Sequence, residues 1–185
     1  MKRKIIGLVA VLVVVASVGA FAFEQKSSTY SWMASYNKDG QLNVYVAGGL
    51  YYVGLGVAGG VEVALGNFSL AGIPLEWGIE GRGLVGFGSF AGVSWLDWGA
   101  SPQVTLHWGV DFGGPLKFEW YAGLGLGVYG TTGSYYSYLI GAGPFFGFAS
   151  SDGVAWHFSE NVSLILDYSY TGWTSIYGVG VKLNL

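Results

Sequence analysis

From Val162 to the end of the chain, large apolar side chains alternate with small or polar ones. In VSLILDYSYT (162–171), Val162, Leu164, Leu166, Tyr168 and Tyr170 share one face, while Ser163, Ile165, Asp167, Ser169 and Thr171 share the other. Successive residues of a strand point to opposite sides, so this spacing predicts a strand. SIYGVGVKLNL (175–185) repeats it, setting Tyr177, Val179, Val181, Leu183 and Leu185 opposite Gly178, Gly180, Lys182 and Asn184, and TGWTS between the two predicts a hairpin turn. A second hairpin is predicted from 100–112, with Val104, Leu106, Trp108, Val110 and Phe112 on one face, and 116–128, which resumes the alternation after Gly113-Gly114-Pro115. Residues 53–65 and 75–87 follow the same rule. Further strands are expected at 29–36, 42–50, 138–148 and 153–158, bounded by NKDG, a tyrosine pair, ASSDG and SEN. The total is ten, with 89–99 left as a long connection. An eight-strand alternative merges 138–158 and drops the first segment; ten is favoured slightly.

Composition decides what the two faces mean. The chain is 52% hydrophobic and 17% aromatic but only 10% charged, against about 25% charged in an ordinary soluble domain. A soluble sandwich needs a charged outer face, and the positions opposite the bulky residues are mainly glycine, alanine, serine and threonine. The pattern is therefore inverted, with large apolar side chains outward and small or polar ones inward. Beyond the first residues, glycines, of which the whole chain has 33, and aromatics interrupt every apolar run before it reaches spanning-helix length. In hydrocarbon an open sheet would leave backbone groups unpaired, so strands span only as a closed ring. The expected fold is all-β, a closed antiparallel transmembrane β-barrel of ten or eight strands, with tryptophans and tyrosines placed for interfacial girdles.

Residues 1–22 have another character. Lys2, Arg3 and Lys4 precede a long apolar run that ends in Ala20-Phe21-Ala22, which predicts a secretory signal peptide cleaved after Ala22 and a mature barrel over 23–185. Eight basic residues then become five against eleven acidic, and the formal charge moves from −3 to −6. Nucleic acid is a poor partner for such a surface. With no cysteine, stability has to come from burial and backbone pairing.

The inward face carries the candidate chemistry. Glu62, Glu76, Glu80, Arg82, His107, Asp111, Lys117, Glu119, Asp167 and Lys182 are the polar lumen candidates. Because charges in a narrow interior need partners, one reading is a plug of ion pairs, with Lys117 and Asp111 bridging their hairpin; another is a polar path or pocket. Inward glycines leave space for a cavity, or else room for neighbours such as Leu84, Tyr121 and Tyr129 to fold over them. Catalysis is not expected. His107 and Asp111 lie about 13 Å apart along one strand, and HFSEN (157–161) does not reproduce the His-x-Ser-Asn element of outer-membrane lipid deacylases. No His or carboxylate spacing suggests a metal, and no cofactor is expected.

The stretch GVAWHFSENVSLILDYSYTGWTSIYGVGVKLNL (153–185) resembles the closing strands of small Gram-negative outer-membrane barrels, the class that contains the OmpA transmembrane domain, OmpW and opacity-type proteins. The resemblance implies residence in the outer membrane among its lipids, escort by periplasmic chaperones, and a last strand read by the barrel-assembly machinery through Tyr177, Val179, Val181, Leu183 and Leu185. The chain ends in leucine where the class usually has an aromatic residue. Likeness to OmpW implies a narrow, porin-like pore or binding cavity for small apolar molecules. Likeness to the OmpA domain implies a plugged structural or surface-interaction barrel, and a lipid-modifying enzyme is a third reading. If 159–161 face the periplasm, 149–152 and 172–175 face outside. Oligomeric state is left open by the sequence.

Overall fold

Alternation of this kind yields long strands. The computed structural model describes residues 33–52, 54–133 and 143–185; the expected leader and parts of three expected strands, 29–32, 53 and 138–142, lie outside them. Among the described residues nine strands follow one another: β1 (Met33–Ala34), β2 (Leu42–Tyr51), β3 (Gly54–Leu70), β4 (Ile73–Phe90), β5 (Val93–Asp111), β6 (Lys117–Thr132), β7 (Phe145–His157), β8 (Val162–Thr171) and β9 (Thr174–Asn184). Every neighbouring pair is antiparallel. The order runs β5-β4-β3-β2-β9-β8-β7-β6, and pairing of β6 with β5 closes the ring. The chain is thus a closed eight-stranded antiparallel barrel, the eight-strand alternative rather than the slightly favoured ten. Of the expected strand at 29–36, residues 33–36 are described, and only Met33 and Ala34 of these form a strand, the two-residue β1, which pairs with Gly109 and Val110 of β5.

Three departures from the expected strands have local causes. Residues 145–157 form one strand, so ASSDG (149–153) is strand interior and 149–152 is no loop. Residues 89–99 are not a connection, because β4 reaches Phe90 and β5 starts at Val93 around the two-residue turn Ala91-Gly92. Their alternation was hidden because Trp95 and Asp97 put bulk on the inward face. Third, β3 extends to Leu70 through a bulge between Ala64 and Gly66. A bulge adds one residue to one strand, so the outward set shifts from Val61 and Val63 to Phe68 and Leu70, and a period-2 count loses phase there. The turns at Ala71-Gly72 and Ala91-Gly92 hold all four residues at positive φ, 52° and 82°, then 51° and 80°, the geometry of the two-residue turn that matches strand twist.

At one end of the barrel lie the turns at 71–72, 112–116 and 158–161, the segment 35–41 and the C-terminus. The opposite end carries Tyr52, the turns at 91–92 and 172–173, the end of β6 and the start of β7. Among the described residues, 35 large hydrophobic side chains are exposed and 12 hydrophobic residues are buried, while 22 polar or charged residues are buried. That distribution is the reverse of a soluble core. The two small apolar clusters inside, Tyr45-Ala47-Ala155-Ile165 and Tyr51-Ala58-Leu84-Ile176, sit at different levels of the lumen.

Candidate functional site

Eight strands enclose an interior only about wide enough for side chains to fill, so the inward polar residues meet across it. Arg82 on β4 centres one network. Its Nε donates to Glu80 Oε1 at 2.7 Å, its Nη1 to Asp167 Oδ1 at 2.9 Å and to Ser169 Oγ at 2.5 Å, and its guanidinium lies 4.4 Å from the centre of the Tyr45 ring. Tyr121 OH donates to Asp167 Oδ1 at 2.5 Å. Glu80, Arg82 and Asp167 are all buried, so the pairing offsets a desolvation cost that neither sign could bear alone.

Glu119 on β6, with no exposed surface, centres the second network. Its Oε1 receives His107 Nδ1 at 2.5 Å and Lys182 Nζ at 2.7 Å, and its Oε2 receives His157 Nε2 at 2.7 Å. His107 Nε2 reaches Glu62 Oε1 at 2.6 Å. A neutral imidazole carries one N–H, so hydrogen bonds from both ring nitrogens of His107 to carboxylates require the doubly protonated ring. His157 differs: Ser163 Oγ lies 2.8 Å from its Nδ1, and a neutral ring satisfies both contacts.

The segment after β1 closes this network from the end that carries the C-terminus. Asn37 is buried, and its backbone N–H and side-chain amide both donate to Glu76, which also accepts from Ser35 Oγ. Asn37 Oδ1 in turn accepts from Asn43 at 2.9 Å and from Lys182 at 3.1 Å. Tyr36 stacks on His157 with centroids 4.3 Å apart and donates to the carbonyl of Val110; burial, with Asp111, Glu119 and Glu76 nearby, pushes its phenol up to about 12. Outside this strap lies a bowl of about 650 Å³ bordered by Lys38, Lys117, Glu160 and Asn184.

Eight of the ten lumen candidates, Glu62, Glu76, Glu80, Arg82, His107, Glu119, Asp167 and Lys182, are brought together in these two networks. Asp111 and Lys117 are not. They are the last pair of the β5–β6 ladder, at the rim beside the turn, and form a half-exposed bridge of 3.8 Å. Pairing across the hairpin was legible, but an inward parity at a strand end does not bury a side chain. Sequence reasoning missed Asn37, which lies outside any alternating segment, and His157, which it set beside a turn. Ser163, His157 and Glu119 line up as nucleophile, base and acid would, but Ser163 is fully buried under the strap and beside β9, without room for a substrate. Tyr177, Val179, Val181, Leu183 and Leu185 all project outward from the last strand.

The inward glycines answer the question of space. A Cβ on Gly86 would lie 2.5 Å from the Tyr51 ring, one on Gly56 would lie 2.7 Å from Ile176, and one on Gly123 would lie 2.5 Å from Ser151. Gly60 and Gly153 are likewise covered by the hydroxyl ends of Tyr45 and Tyr121. Side chains fold over the glycines and fill the lumen at these levels.

No protein-family model matches the chain, and no curated protein does. Among solved structures the chain is similar to a de novo designed transmembrane β-barrel, at 17% identity over 82% of this chain and all of that one, with a TM-score of 0.40. It is also similar to Ail, the attachment invasion locus protein of Yersinia pestis (11% identity, 80% of this chain and 100% of that one, TM-score 0.42), and to the N-terminal β-barrel domain of Pseudomonas aeruginosa OprF (18%, 80% and 98%, TM-score 0.42).

Proposed function

We propose that the chain is an integral outer-membrane barrel whose lumen is plugged, so that its role lies in its wall and outer turns rather than in transport. The observation that carries this reading is the pair of faces: an apolar belt outside and a filled polar interior inside one closed ring. The belt suits hydrocarbon, and the closed ladder leaves no strand edge to solvate. β8 and β9, at 10 and 11 residues, have the length that a tilted spanning strand needs. Location in the outer membrane rests on the strand pattern and on the expected leader.

Against a pore for small apolar molecules stand the Arg82 and Glu119 networks, stacked along the axis, and the tyrosines laid over the inward glycines. Against a lipid-modifying enzyme stands the burial of Ser163. The test is planar-bilayer conductance and apolar-solute uptake by the refolded chain, after its gel mobility has been seen to shift on heating. A folded barrel that neither conducts nor takes up solute is expected. Discrete channel openings or saturable uptake would overturn the plugged reading.

A further inference from the structure

Among the described residues, the outward faces of the eight ring strands carry one charged side chain, Asp152 on β7. Its neighbours fix its direction: Ser151 Oγ donates inward to Gln103 Oε1 at 2.8 Å, and a Cβ on Gly153 would run into the inward Tyr121. Asp152 is exposed, and its carboxylate has no hydrogen-bond or ion-pair partner among the described residues. Its cross-strand neighbours are Ala122 and Tyr168. Tyr168 faces Tyr177 of β9 with ring centroids 4.6 Å apart. One step nearer the turn at 172–173, Ser150, Tyr170 and Ser175 form the next row. Six adjacent outward positions on three strands therefore carry hydroxyl or carboxylate groups, while Phe148, Val154, Leu166 and Val179 around them are apolar.

An ionisable side chain facing lipid is costly, least so near the interface, and this window lies within a few residues of the 172–173 turn. Its chemistry is that of a zwitterion receptor: a carboxylate for a cation, aromatic faces beside it that attract the same cation, and hydroxyls that donate to an anion. Three strands span about 10 Å and two rows about 7 Å, the footprint of a single headgroup; a stable protein interface covers about 800 Å² on each partner. A second copy of this chain is a poor occupant, because the described ring strands offer no outward cation and would bring carboxylate against carboxylate.

We propose that the Asp152 window binds the headgroup of an aminophospholipid, its primary ammonium on Asp152 and its phosphate among the serine and tyrosine hydroxyls. This rests on the membrane reading above. The test is to refold the full chain into nanodiscs of equal phosphatidylethanolamine and phosphatidylcholine and to measure the lipids retained on gentle release by native mass spectrometry. The choline headgroup has no N–H to donate, so the wild type is expected to retain phosphatidylethanolamine in preference. D152N, which removes no contact of the folded barrel, should lower that preference about fivefold, the scale of an exposed ion pair, and Y168F should lower it less. Equal retention of the two lipids by a folded wild type, or an undiminished preference in a folded D152N, would overturn the proposal. A chain that shows no heat-dependent mobility shift in either lipid would instead strike the membrane reading, and the proposal with it.

Discussion

Arg82 and Glu119 each hold several buried charges. Removing one partner of such a set leaves the others buried and uncompensated, which costs about 3–5 kcal/mol. Arg82→Ala strands Glu80 and Asp167, and a loss of that size is expected in urea unfolding of the vesicle-inserted barrel; a change under about 1 kcal/mol would mean that water or another cation already serves the carboxylates. Gly86 makes a second case. With Tyr51 lying over it, Gly86→Ala overpacks the interior by about 1–3 kcal/mol, and the penalty should shrink in a Tyr51→Ala background, because residues in contact are not additive. The buried charges were legible one by one, since Glu62, Glu80, Arg82 and Asp167 alternate with outward apolar residues. Which charge meets which was not legible, because partners such as Arg82 and Asp167 lie 85 positions apart and are joined by strand tilt and ring closure. Asn37 gave no periodic signal at all.

At the level of elements, β8 and β9 were read to within a residue because Ser163, Asp167, Ser169, Gly178, Gly180 and Lys182 on their inward faces alternate with Val162, Leu164, Leu166, Tyr177, Val179, Val181 and Leu183 outside. β7 was split in two because Ser150, Ser151 and Asp152 put polar groups on both faces, so an ASSDG string that looks like a turn is strand interior. The Ala71-Gly72 and Ala91-Gly92 turns were missed since alanine is not the residue that usually precedes glycine in such turns. Alanine in the left-handed region is strained, and asparagine tolerates it better. Ala91→Asn should therefore raise stability by roughly 0.5–1 kcal/mol, read as a higher urea midpoint; a lower midpoint would show that the alanine makes a contact worth more than the turn geometry.

For the whole molecule, the inverted distribution of apolar and polar residues accounts for the fold and the plug together, and it makes the outward carboxylate of Asp152 stand out. A narrow ring must fill its interior, which it does with paired charges and with tyrosines over glycines, and a ring with an apolar exterior needs a non-aqueous surrounding. The measurement that tests this most directly is fluorescence quenching by brominated lipids of a variant in which Val179→Trp supplies the one tryptophan, refolded in vesicles and confirmed as heat-modifiable. Val179 lies mid-strand on the outward face of β9 and is 54% exposed. Strong quenching that is greatest for bromines placed along the acyl chains is the predicted result. A folded barrel whose introduced indole is untouched by any lipid bromine would contradict the account, because its apolar face would then be turned to something other than membrane.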